Sequence, residues 1–285
     1  MENVEKKKSS GNFIVIGIFL ATFFCSFSGQ INDFITVKYL PLEFGGDSVM
    51  FGFTFSIFSL GKILTMILFA RLSDRIGRKK ILLLAFSLYS IGTFLAGIAQ
   101  TPFQFMLFRL IKGTSAFEGV ILALINDYYK EGERGKAIAI YSASFGIGAL
   151  IGSILGGFFL IWFEYKTTFS ILGFISMVSI LSVFLCIFNH PDQKIELEKK
   201  SYESFKINRK NELKRIFRTK SFILGLIINI ILMFCLSGVS TYMIFIVLNH
   251  YIIPEQFSGA ILFPVFFSYI FFALLMGKKE NPIRI

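Results

Sequence analysis

Apolar residues in this chain arrive in blocks of about twenty, divided by short polar stretches. That length is what a helix needs to cross the ~30 Å hydrocarbon core of a bilayer. The pattern predicts eight such helices, at residues 13–34, 49–70, 81–99, 103–125, 137–162, 169–188, 222–248 and 257–276. The polar stretches are short except for 189–220, which is charged and separates six helices from two. We therefore expect a six-helix half at 1–189, a basic cytoplasmic connector at 190–220 lying along anionic headgroups, and two further helices at 221–285. The first block follows Lys6, Lys7 and Lys8, as the h-region of a signal peptide would. Ser26–Gly29 is small, but the run is too long for one and no Ala-x-Ala site follows, so it is expected to remain as the first span.

Composition sharpens this picture. Hydrophobic residues make up 54% of the 285 and charged residues only 16%, which excludes an ordinary soluble domain. A formal charge of +11 would suggest nucleic acid in a soluble protein, but its placement argues for a bilayer. Of the 29 Lys and Arg, 24 fall in segments 1–12, 71–80, 128–136, 189–220 and 277–285, while the alternate loops hold only Lys38 and Lys166. Basic loops stay on the cytoplasmic side, so both termini are expected to be cytoplasmic in a multi-pass cell-membrane protein with no nucleic-acid partner. Cys25, Cys186 and Cys235 lie in apolar blocks without ligand spacing and read as small buried hydrophobes. His190 and His250 stand alone at block edges, and no phosphate loop, nucleophile elbow or zinc motif occurs. Neither an enzyme nor a metal or other cofactor is expected.

Between the second and third blocks the chain reads Ala70-Arg71-Leu72-Ser73-Asp74-Arg75-Ile76-Gly77-Arg78-Lys79-Lys80. Gly77 allows a tight turn, the basic residues anchor at headgroups, and Asp74 can accept from a neighbouring helix N-terminus. The segment resembles the G-x-x-x-D-R-x-G-R-K loop of the major facilitator superfamily, with Ala70 in place of its glycine. Arg109-Leu110-Ile111-Lys112-Gly113 looks like that family's R-x-x-x-G in the fourth helix, there tied to proton coupling or substrate charge. Gly148, Gly152, Ser153, Gly156 and Gly157 are similar to the G-x-x-x-G-P-x-x-G-G of its drug/proton antiporter branch, with Ser153 where the branch has proline. Small residues at this spacing also pack helices closely without any transport role.

The resemblance implies an all-α bundle of about eight spans and a secondary transporter driven by the proton gradient, exporting a small organic substrate by alternating access. In it, Asp74, Arg75, Gly77, Arg78 and Lys79 form a gate loop and the fifth-helix glycines a sliding seam. Import of a sugar or metabolite, and a non-transporting membrane remnant, are the competing readings.

Charges inside the predicted spans carry the candidate chemistry, because an ionised group there is costly unless it is paired or functional. Asp33 lies near the outer end of the first helix and Arg109 about two turns into the fourth, so the two can pair across a cavity. Gln30 and Asn32 allow the other reading, in which Asp33 sits in water at the edge, and Arg109 can equally be packed or snorkelling. Lys112 follows Arg109 by one turn on the same stripe. Glu118 is nine residues on, about 180° around a continuous helix, which keeps it out of an Arg109 cavity. It reads either as a proton carrier or as a packed, protonated carboxyl. Asp127 is expected in cytoplasmic solvent and Lys62 is expected to snorkel.

Members of the family have two six-helix halves related by a pseudo-repeat. Matching Gly259 to Gly52 puts Gly277 opposite Ala70 and Asn281 opposite Asp74, where the loop motif does not recur. The expectation is a reading frame broken near Gly277 or a shortened member, in which self-association or a complementing chain supplies the missing wall.

Overall fold

The computed structural model describes residues 2–45, 48–129, 131–188 and 259–278, with isolated positions at 219, 223, 224, 227, 231, 254 and 257. The seventh predicted helix, 222–248, lies outside the described residues apart from four of those positions, as do Cys235, His190, His250 and Asn281. The chain forms two compact units, residues 1–190 with 244–285 and residues 191–243. Every helix named below belongs to the first.

All the described secondary structure is helical. The helices are α1 (Glu2–Phe44), α2 (Ser48–Ile76), α3 (Arg78–Ala96), α4 (Pro102–Gly113), α5 (Glu118–Tyr128), α6 (Glu131–Trp162), α7 (Tyr165–Val183) and α8 (Phe263–Lys278). A π-helical turn, Phe184–Phe188, continues α7, and a 3-10 turn, Gly259–Leu262, leads into α8. Among the described residues, five helices are long and apolar enough to cross a bilayer, within α1, α2, α3, α6 and the α7 run to Ile187. The exposed Phe53, Ile63, Leu64, Ile67 and Leu68 on α2 are what a lipid-facing helix presents.

One prediction fails informatively. The fourth span is not one helix but two, α4 and α5, broken at Thr114–Phe117. Thr101 starts α4 by accepting from the Gln104 amide at 3.2 Å, with Pro102 at the first helical position. At its far end Gly113 lies so close to the carbonyl of Phe58 that a β-carbon there would collide with it. Hydroxyls then take the terminal carbonyls, Thr114 donating to Ile111 O at 2.7 Å and Ser115 to Lys112 O at 2.6 Å. Phe117 stacks on Phe86, with ring centroids 4.7 Å apart, and α5 begins at Glu118. An acidic residue in a first turn is favoured by the helix dipole.

Helix α1 is the axis of the bundle, packed against α6 and α7. Gly148 and Gly152 of α6 sit against the α1 backbone, where added β-carbons would come within 2.5 Å of Phe23 O and 2.6 Å of Phe27 O. Gly156 faces the ring of Phe34, and Gly157 and Ser153 are buried beside it. The glycine stripe thus serves the contact of α6 with α1, whereas α8 meets α6 around Gly146 and Gly277, and Gly259 of the 3-10 turn packs on the backbone of Ser153. Hydroxyls add cross-links to α1: Ser26 donates to Phe145 O at 2.7 Å, Ser28 to Leu172 O at 2.9 Å, Ser179 to Ala21 O at 2.8 Å and Tyr89 to Cys25 O at 3.0 Å. Such bonds contribute about 0.6 kcal/mol each in a membrane bundle. Replacing Gly152 with alanine is expected to cost about 1–3 kcal/mol by overpacking this seam, read as a lower melting temperature in detergent. An unchanged melting temperature would mean that α1 and α6 separate more freely than the packing indicates.

Candidate functional site

Three apolar clusters pack the described helices, around Ile18, Phe86 and Phe117, around Ile35, Tyr39 and Phe169, and around Phe34, Val37 and Leu262. Among them, four helices bring charged side chains together. Helix α1 presents Asn32, Asp33 and Thr36 at spacings that share one side. Arg109 of α4 is fully buried, at 0% exposure. Its Nη1 donates to Asn32 Oδ1 at 2.7 Å, Asp33 Oδ1 at 2.9 Å and Thr36 Oγ1 at 3.3 Å. The guanidinium carbon also lies 4.8 Å from the centre of the Phe55 ring and 5.4 Å from that of Phe58. Asp33, with 37% of its side chain exposed, links this buried cation to solvent.

The pairing expected between Asp33 and Arg109 is therefore made. Asn32, read from the sequence as a mark of a watery edge, is instead wholly buried and bridges two cations. Lys112 is the second, its Nζ donating to Asn32 Oδ1 at 2.9 Å and lying 4.9 Å over the Tyr89 ring. The neutral amide next to Asp33 in an apolar block was the sequence signal for this role.

Glu118 and Lys62 also depart from expectation. Lys62 does not simply snorkel: it forms an ion pair with Glu118, their side chains 41% and 23% exposed. The rotation argument that set Glu118 opposite Arg109 assumed a continuous helix, and the break after Gly113 removes its basis. Phe58 joins the two pairs, with Arg109, Lys112 and Lys62 at 5.4, 5.7 and 6.0 Å from its ring centre. The result is a belt running from Asp33 through Arg109, Lys112 and Lys62 to Glu118.

At the end of the bundle where α2 passes to α3, Gly77 turns the chain with φ of +112°, a conformation that favours glycine. Arg78 grips Asp127 at the end of α5 through two bonds, from Nε to Oδ2 and from Nη2 to Oδ1 at 3.1 Å. Its Nη1 lies 3.4 Å from Asp74. Asp127 is thus a partner of the loop and not a free solvated charge. Arg75 is exposed, while Lys79 is buried with its ammonium 6.0 Å from the Tyr128 ring centre. Arg134 closes this end by donating to Tyr129 O at 2.8 Å and Asn126 O at 3.1 Å, covering the last carbonyls of α5. Burial and then Glu133 push the Tyr129 phenol up to about 12, so it stays protonated at neutral pH. Asp127→Asn keeps the shape but loses the charge, and should cost on the order of 1 kcal/mol after solvent screening. The check is faster protease cleavage in the loop after α2; equal cleavage would remove the clasp's structural role.

The sequence profile of the Major Facilitator Superfamily matches residues 18–281. An uncharacterized transporter of Buchnera aphidicola is 27% identical over 268 residues, which cover 88% of this chain and 64% of that protein. Multidrug resistance protein 3 of Bacillus subtilis is 26% identical over 201 residues, covering 69% of this chain and 39% of its own length. Among solved structures, a bacterial homologue of the human lysosomal transporter Spinster superposes with a TM-score of 0.67 at 19% identity, over 90% of this chain and 60% of that one. The chain spans less than two thirds of each of these proteins.

Proposed function

The chain belongs to the Major Facilitator Superfamily, and from that premise we propose that it is a proton-coupled secondary transporter that exports a small organic compound across the cell membrane by alternating access. The family is one of transporters and not of enzymes. The observation that carries the proposal is the Asp33–Arg109 pair, a solvent-reaching carboxylate held by a fully buried cation. A carboxylate released from its cation is a better proton acceptor. Movement of α4 against α1 therefore offers a means of tying a proton to a conformational change.

In this reading Asp74, Arg75, Gly77, Arg78 and Lys79 form the cytoplasmic gate, braced by Asp127. The α6 glycines give the seam along which α1 shifts, and residues 221–285 begin the second half. Export is favoured by the similarity to a protein named for multidrug resistance.

Purified protein in liposomes with a trapped pH-sensitive dye provides the test. A transported compound is expected to dissipate an imposed pH gradient while moving against the protons. Movement with the protons would replace export by uptake. A gradient untouched by a broad panel of organic cations, anions and neutral compounds would sink the transport reading and leave a membrane protein with another role.

A further inference from the structure

Arg109 spends only one of its three nitrogens on the protein. Nη1 makes all three of its bonds to α1, while Nε and Nη2 are buried without a hydrogen-bond partner among the described residues. Buried charged donors left empty are costly, and the Nε–Nη2 edge of a guanidinium is spaced to grip both oxygens of a carboxylate. Charge along the belt points the same way. Glu118 is matched by Lys62 and Asp33 by Arg109, but Lys112, only 1% exposed, has an amide oxygen and the Tyr89 and Phe58 rings. Among the described residues the belt holds three basic groups and two carboxylates, and a charge left uncompensated among apolar helices is expensive. The surroundings add shape, because the rings of Phe55 and Phe58 lie against the same guanidinium and are themselves half-exposed.

We propose that the free edge of Arg109, with Lys112 beside it, is the seat of a ligand carboxylate, and that Phe55 and Phe58 hold the flat apolar body attached to it. The ligand class is a small monoanionic, preferably aromatic, carboxylate. One such group supplies the missing negative charge and fills two orphaned donors, while Nη1 keeps Asp33. Entry requires Phe58 and Phe55, the latter packed on Phe34, Val37 and Leu262, to move aside. That this ligand is the cargo rests on the transporter reading; that the seat exists does not.

Three probes of nearly equal shape separate charge from size: benzoate, neutral benzamide and cationic benzamidine. Binding to the purified full chain in detergent is measured by saturation-transfer NMR and calorimetric titration, without any gradient. Benzoate is expected to bind at least tenfold more tightly than benzamide, with benzamidine failing to displace it. Lys112→Met should weaken benzoate at least tenfold, and Lys112→Arg should restore it to within about threefold. Arg109→Lys, which keeps the charge but loses the fork, should also weaken it about tenfold. Benzamidine binding as tightly as benzoate, benzoate affinity unchanged in a folded Lys112→Met protein, or binding of none of the three overturns the proposal. Failure here alongside gradient-driven flux of another compound removes the seat alone. Benzoate binding without any such flux removes the transport reading alone.

Discussion

Arg109→Ala is expected to lower proton-driven flux by at least about 100-fold, equivalent to ~2.7 kcal/mol, while leaving a folded bundle. The asymmetry follows from where the partners sit. Breaking a buried ion pair usually costs about 3–5 kcal/mol because a charge is stranded away from water. Here the stranded group is Asp33, whose side chain is 37% exposed and is rehydrated, so the stability loss should fall below that range. What cannot be replaced is the positive charge that meets Asp33, Asn32 and Thr36 at one nitrogen. Asp33→Asn sharpens the test, since its amide oxygen still accepts from Nη1 but the side chain no longer takes up a proton. That variant should exchange substrate across the membrane without a gradient and fail to accumulate it with one. Undiminished accumulation in either variant would place proton coupling elsewhere.

The second large effect is on folding. Helix α4 is held between α2 and α3 by glycines on each side. A β-carbon at Gly92 would lie 2.5 Å from the backbone nitrogen of Lys112 and 2.7 Å from its α-carbon, and one at Gly61 would lie 2.9 Å from Leu110 O. Backbone cannot move aside as a side-chain tip can. Gly92→Val should therefore cost more than the ~1–3 kcal/mol usual for overpacking and leave little monodisperse protein after solubilisation. Gly119→Ala is the control, since nothing lies within 4 Å of its added carbon and alanine suits a helix better. Size-exclusion profiles and melting curves of the two variants decide the matter. Equal behaviour would mean that α4 is not clamped as described.

How far the sequence could be read depended on the range of the interaction. Blocks of apolar residues located α1, α2, α3, α6 and α7, because bilayer thickness fixes helix length through a local count. The Asp33–Arg109 pair was legible because charges are rare in such blocks and only a few partners lie at a matching depth. The break between α4 and α5 was concealed: Gly113-Thr114-Ser115 carries turn chemistry, but it interrupts an apolar run that is long enough for one span. That break also removes the ground for setting Glu118 opposite Arg109, since nine residues imply a half-rotation only along an unbroken helix. Arg78 and Asp127 are 49 residues apart, and nothing in either neighbourhood announces the other. Asn32 was misread because an amide beside an aspartate resembles a wet helix end, while its actual partners come from a helix 77 to 80 residues away.

The hydroxyl cross-links on α1 also set a timetable. Its partners at Phe145, Leu172 and Ser179 lie 119 to 158 residues downstream. At 5–20 residues per second of synthesis, α1 would wait roughly 6–30 s in the bilayer before those partners emerge. Through that interval its carbonyls are satisfied within the helix, but Asp33 and Asn32 have no Arg109 until α4 arrives. The early part of that wait is when the first helix is most dependent on water, or on the insertion machinery, to shelter a charge that the finished bundle neutralises.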